Sequence, residues 1–262
     1  MNLKMAKIPK IIHQTWKTEN IPQKFSGCVN TWKKKHPEWQ YKLWTDRDNR
    51  AFIKSHYPSF LNLYDGYTSK IKKADAVRYF ILHKYGGLYV DCDFECLKPF
   101  DSLITGSKEC ILGYEPERHS THLNNGNSLV CNAIMASVPG HRLWEHLFLV
   151  LQESKSYGDV VDATGPRMLQ RGIESYPHED VTIFQSNVFY PLVDIKNPVL
   201  ALSENEMKYY LDMRKEKKFP SESLAVHHWA GTWYSGGIPG AAKRFMEGLI
   251  NSVQAFFRRF II

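Results

Sequence analysis

The chain has 262 residues and a formal net charge of +7, with 43% hydrophobic and 13% aromatic residues. That length fits one α/β domain with small additions, and the composition excludes a disordered or low-complexity chain. No run of about 18 apolar residues is present to span a membrane, and the basic residues are scattered rather than interleaved with aromatics as a nucleic-acid groove requires.

The chain opens MNLKMAKIPKIIHQTW, without the apolar segment of a signal peptide. Ile11 and Ile12 suit a first buried strand, with His13, Gln14, Thr15 and Trp16 at its carboxyl end. Trp16 reads either as a core residue or as a flat aromatic platform. An amphipathic helix closes at His36 before Pro37, and 39–44 alternates as a second strand. A second helix over 48–56 stops before Pro58. Strand, helix, strand, helix is the order expected of a parallel sheet.

The stretch KADAVRYFILHKYGGLYVDCDFECLKP, 73–99, is the densest in chemistry. Val77, Phe80 and Ile81 recur at helical spacing, and Asp75 and Arg78, three apart, are neighbours on that helix. Gly86 and Gly87 stop the helix, because glycine takes left-handed backbone angles without steric cost. Leu88 to Val90 form a short strand. If the strand runs on, its period of two puts Tyr89, Asp91 and Asp93 on one face. Two carboxylates so placed repel unless a cation neutralises them, and aspartate oxygens suit hard ions such as Mg²⁺ or Mn²⁺ that keep water and bind substrate phosphates. Ligands in open α/β sheets bind outside the carboxyl ends of strands.

Further on, 110–112 reads as a strand and 113–127 as a long polar loop containing Glu115 and His119. The segment 129–137, with Asn132 inside, is strand or turn, and a helix opens after Pro139-Gly140-His141. Thr164 in DATGPR is placed to cap a helix starting at Pro166, a helix start that also suits an anion. The runs 181–184 and 188–190 read as late strands, and 208–218 as a solvated face. LAVHHWAGTW, 224–233, is a strand delivering His227 and His228 to a Gly-x-Trp turn, and imidazole is a competent Mn²⁺ ligand and phosphate donor. After Gly240, Met246, Leu249, Ile250, Val253, Phe256, Phe257 and Phe260 form the apolar stripe of an amphipathic helix that docks on the domain or on an anionic membrane. The expected division is thus a domain over 1–239 and a helix over 240–262. Five cysteines without a repeated CxxC pair read as buried reduced thiols, hence a reducing compartment.

ADAVRY followed by YGGLYVDCD resembles the Och1-like glycosyltransferases of family 32, whose hallmark is a DXD sugar-binding region. The core of the clostridial glucosylating toxins is distantly related. IPKIIHQTW, NAIMASVPGH and the DATGPR segment extend the resemblance. It implies a GT-A-type, Rossmann-like α/β fold and a metal-dependent, retaining transfer of a hexose from a UDP- or GDP-sugar to a saccharide or glycolipid acceptor, in surface polysaccharide or glycolipid synthesis. By the same resemblance Trp16 stacks the base, while Asp75, Arg78, Tyr89 and Asp91 contact the ribose, sugar or phosphates. Asp93 ligates Mn²⁺ or Mg²⁺, helped by Asp91. A C-terminal histidine completes the metal shell in many such enzymes, and the register favours His228 over His227. Asp91, Asp93 and Arg78 are the catalytic candidates, and no residue is identified as a nucleophile. Many eukaryotic relatives are anchored in the Golgi. This chain shows no such anchor, so the expectation is a cytoplasmic enzyme, with a peripheral contact to the inner face of a membrane through 240–262, or a trimmed form of a longer chain. Two other readings stand beside this one. A Mg²⁺-dependent phosphohydrolase would also use DCD, although Glu95 breaks the DxDx[TV] pattern. A non-catalytic module would hold anionic polymers on its basic surface.

Overall fold

A computed structural model describes residues 7–104 and 108–231. The first half runs β1 (Ile11–Thr15), α1 (Gln23–Lys35), β2 (Gln40–Trp44), α2 (Asp46–His56), α3 (Leu61–Gly66), α4 (Lys70–Tyr85), β3 (Gly87–Val90), β4 (Phe94–Cys96) and α5 (Asp101–Ile104). The second half runs β5 (Cys110–Tyr114), α6 (Glu117–Leu123), β6 (Val130–Ser137), α7 (Arg142–Glu153), α8 (Val160–Ala163), α9 (Pro166–Glu174), β7 (Val181–Phe184), α10 (Ser186–Phe189), α11 (Glu204–Glu216) and β8 (Ala225–His227). The helix expected over 240–262 and the Thr232-Trp233 end of the expected turn lie outside the described residues. Among the described residues no helix is long and apolar enough to cross a membrane. All five cysteines are unpaired, four of them buried.

Six strands form one sheet in the order β2-β1-β3-β6-β5-β7, and β4 pairs with β8 in a separate two-stranded ribbon. The sheet is mixed rather than parallel. β1 lies parallel to β2 and β3, but β6 runs antiparallel to both β3 and β5. The reason is local. β5 and β6 pair as a long hairpin, Tyr114 opposite Val130, and an antiparallel return needs no crossover helix. The polar stretch expected as a loop is the tip of that hairpin and contains α6. Layers of apolar side chains cover both faces of the sheet. Tyr89 joins Trp44, Phe80, Trp144 and Phe148 on one side, while Leu88 and Val90 join Trp32, Phe94, Phe100 and Phe189 on the other. Phe80 and Phe148 stack at 4.2 Å, tying α4 to α7. Every residue of β3 is buried, and so are all of 75–82 in α4, so this helix has no solvated face in its middle.

Three further expectations are corrected. The strand carrying Tyr89 ends at Val90, and Asp91 to Phe94 is a turn closed by Phe94 N–H donating to the Asp91 carbonyl at 3.2 Å. Asp91 and Asp93 are therefore presented by a turn as the chain leaves one sheet for the other. The run 188–190 is not a strand. It overlaps the short helix α10, whose Phe189 and the following Tyr190 fill the core. Gly165, not Thr164, occupies the cap position of α9, and no side chain caps that end.

Gly86 and Gly87, at φ 61° and 89°, make the reversal from α4 into β3. A Cβ at Gly86 would sit 2.7 Å from both the Ser137 carbonyl oxygen and the Pro139 nitrogen. Gly86→Ala therefore combines an unfavourable backbone angle with a backbone clash. It should cost about 2–4 kcal/mol, read as a lowered urea midpoint. A loss below about 1 kcal/mol would show that the reversal tolerates a side chain.

Candidate active site

The buried flank of α4 carries the central charge. Arg78, 5% exposed, donates from Nη2 to Asp75 Oδ1 at 2.7 Å and from Nη1 to the Asn132 carbonyl at 2.7 Å. It also lies 3.4 Å from Asp91 Oδ1, and its guanidinium packs 4.6 Å over the Tyr89 ring. Burial works against its charge, but Asp91, Tyr89 and Asp75 outweigh that penalty and keep it protonated. Burial raises the Asp75 carboxyl to about 7 despite the attraction of Arg78. Asp91 is raised for the same reason, with Arg78 again opposing.

The sheet positions the Asp91 turn atom by atom. Asp91 N–H donates to the Ala133 carbonyl on β6 at 2.9 Å. Gln14, at the end of β1, donates its amide to the Asp91 carbonyl at 3.3 Å, and Tyr41 on β2 donates to Gln14 Oε1 at 2.8 Å. Tyr89, wholly buried, donates its hydroxyl to Asp91 Oδ1 at 2.8 Å and is itself within 2.9 Å of Thr15 Oγ1. Tyr89 thus stands behind Asp91 and is not part of the cavity wall, which corrects its placement as a direct ligand contact.

Asp93 is held by the opposite end of the chain. The β4–β8 ribbon pairs Phe94 with His227. His227 Nε2 then lies 3.1 Å from Asp93 Oδ1, and Ala230 N–H donates to Oδ2 at 2.9 Å. Burial pushes the Asp93 carboxyl up, but His227 and the Ala230 amide outweigh it and hold it at about 2. The His227 ring is stacked on Phe94 at 4.5 Å. The sequence favoured His228 for this place, and the structure gives it to His227. Successive residues of a strand point to opposite sides, and the His228 ring instead meets Glu95 at 3.1 Å, where Lys217 also binds.

One ligand atom each from Asp91, Asp93 and His227 lies within 4.8 Å of the others. Two carboxylate oxygens and an imidazole nitrogen suit Mn²⁺ or Mg²⁺. Asp75 and Asp91 face Arg78, and Asp93 faces His227. These side chains open on a cavity of about 820 Å³ whose wall includes Trp16, Asp75, Arg78, Asp91, Asp93 and His227. Trp16 is half-buried, edge-on to Phe25 at 5.3 Å. Every candidate except Tyr89 and His228 therefore meets in one place. Sequence reasoning did not assign Gln14, Asn132, Glu115, His119 or Asp194. Of these, Gln14 had a legible signal, its position at the carboxyl end of a strand.

Residues 22–109 match the family described as glycosyltransferase sugar-binding region containing DXD motif. Inositol phosphoceramide mannosyltransferase 2 of Schizosaccharomyces pombe is 36% identical over 264 residues, covering 97% of this chain and 66% of that protein. Inositol phosphoceramide mannosyltransferase 3 of the same yeast is 52% identical over 99 residues, covering 38% and 28%. The chain thus spans two thirds or less of the length of these relatives. Among solved structures, PaToxG glycosyltransferase shares the fold at a TM-score of 0.51 and 17% identity, covering 84% of this chain and 82% of that one. The fold is the GT-A-type α/β arrangement expected above.

The depressed Asp93 carboxyl has a consequence for the metal-free protein. Its stabilising contribution is fully present above the ordinary value of 3.8 and is lost as pH falls toward about 2. Urea unfolding between pH 5 and pH 2.5 should therefore show a steeper loss for the native protein than for Asp93→Asn. Parallel losses would mean that the carboxylate is not held this way.

Proposed function

The chain belongs to the glycosyltransferases with a DXD sugar-binding region, and on that premise we propose that it is a metal-dependent, retaining hexosyltransferase. The reading extends to a mannosyl nucleotide such as GDP-mannose as donor and an inositol-containing sphingolipid as acceptor, since two relatives are named inositol phosphoceramide mannosyltransferases. The observation that carries it is the meeting of Asp91, Asp93 and His227 beside the buried Arg78 in a cavity that also holds Trp16. Retention of anomeric configuration is the expectation that the family resemblance brings.

Each residue has a role that follows from its setting. Trp16 offers its exposed face to the base, and aromatic–base stacking is worth about 1–3 kcal/mol. Asp75 and Arg78, fixed on a buried helix, orient the sugar and its phosphates. Arg78 stays charged in a fixed position, so its field favours negative charge in the transition state without rearrangement. Asp91, Asp93 and His227 are the residues that would hold Mn²⁺ or Mg²⁺. Such an ion, when bound, neutralises charge on the departing diphosphate. The phosphohydrolase reading is less well supported, because Glu95 breaks the DxDx[TV] pattern and the relatives matched are named mannosyltransferases.

A sugar nucleotide should raise the melting temperature only with Mn²⁺ present, by mass action on the native state. Asp93→Ala should abolish that shift and lower donor turnover by about 10²-fold or more. His227→Ala should raise the Mn²⁺ requirement, whereas His228→Ala should leave it unchanged. No shift with any nucleoside diphosphate would sink the proposal. An effect of His228→Ala equal to that of His227→Ala would return the metal position to His228.

A further inference from the structure

Beyond the donor residues, the cavity wall continues into a second polar cluster built on the link from β5 to α6, on α6 itself and on the segment after α10. Glu115 and His119 are 5% and 2% exposed and joined at 2.8 Å. Asp194 N–H donates to His119 Nε2 at 2.9 Å. With Nε2 accepting, the ring proton sits on Nδ1 and is donated to the Glu115 carboxylate. Asp194 itself is 3% exposed and lines the cavity. Among the described residues its carboxylate receives one hydrogen bond, from Lys196 N–H to Oδ1 at 3.1 Å. A carboxylate can accept about four, so this one is buried with capacity to spare, and burial raises its pKa.

The cluster is wired to the metal-ligand group through Trp229. His119 packs on the Trp229 ring at 4.4 Å, Trp229 on His227 at 4.0 Å, and His227 on Asp93 as described. Trp229 is held at φ 49°, a costly angle for a bulky residue, and anchored by its indole N–H to the Leu192 carbonyl at 2.8 Å. Backbone strain of this kind is kept where surrounding structure enforces it, commonly beside a ligand. A tryptophan face flanked by carboxylates has the chemistry of polyol recognition: the ring covers C–H groups and the carboxylates accept hydroxyl protons.

We propose that Glu115 and Asp194, with the Trp229 face between donor and cluster, form the acceptor subsite and bind the hydroxyls of a polyol ring. The inference rests on the transferase reading above and assigns its acceptor side. Asp194 contacts a hydroxyl directly. Glu115 sets the His119 tautomer and shares the wall.

The test separates transfer from donor hydrolysis. The full chain is assayed with GDP-mannose and Mn²⁺, with and without phosphatidylcholine vesicles carrying inositol phosphoceramide, and free myo-inositol serves as competitor. Vesicles should accelerate donor consumption by the native enzyme, and myo-inositol should suppress that acceleration. Asp194→Asn and Glu115→Gln should each raise the acceptor KM and lower the ratio of transfer to hydrolysis by about tenfold or more. Thermal melts identify a variant that has merely lost its fold, and Glu115→Gln, which keeps an acceptor for His119, is the milder of the two. An unchanged ratio in either folded variant overturns the assignment, as does native hydrolysis that vesicles do not accelerate. Absence of any Mn²⁺-dependent hydrolysis by the native enzyme overturns the transferase reading itself, a distinguishable result.

Discussion

The burial of one guanidinium governs the architecture. Arg78 sits almost out of water among Asp75, Asp91, the Tyr89 ring and the Asn132 carbonyl, which come from its own helix, from β3 with the turn after it, and from β6. A buried ion is tolerated only when its partners are in place, and removing one partner of such a group typically costs about 3–5 kcal/mol. The helix, the strand and the hairpin strand must therefore converge to within hydrogen-bond tolerance. That convergence is what delivers Asp91 to the cavity at a fixed angle. The same interaction that specifies the packing also prepares the site for a negatively charged ligand.

Much of this was visible in 73–99. The helical spacing of Val77, Phe80 and Ile81, the Gly-Gly stop and the paired aspartates are local properties of the chain, and local properties are what a sequence exposes. What escaped was decided by contacts distant in sequence. The period of two groups Tyr89 with Asp91 and Asp93 only if the strand reaches Asp93, and it ends three residues short of that, because the chain is drawn away to pair with β8. His227 and His228 differ by one position. Only the register of that ribbon decides which ring meets Asp93 and which meets Glu95. The antiparallel course of β6 likewise reflects a hairpin whose tip carries α6, a helix hidden in a polar sequence. Val188, Phe189 and Tyr190 look like a strand because β-favouring residues also fill cores from short helices, where packing overrides propensity.

The two sheets divide the labour. The larger one is covered on both faces and supplies the rigid floor, with Gln14, Thr15, Tyr89 and Asn132 all bonding toward the Asp91 turn or Arg78. The small ribbon brings β8 against the turn and supplies His227, and the chain just after it supplies the Ala230 amide. The cavity is thus assembled from a floor that fixes Arg78 and Asp91 and a short ribbon that closes His227 onto Asp93.

That ribbon also bears on how the protein comes into being. Asp93 and His227 are separated by 134 positions. Joining them closes a long loop, an entropic cost that must be met before the contact returns any stability. During synthesis, the turn bearing the aspartates emerges well before the strand that completes it. The contact between Asp93 and His227 is therefore among the last of the described contacts to form, after all six strands of the larger sheet have been made.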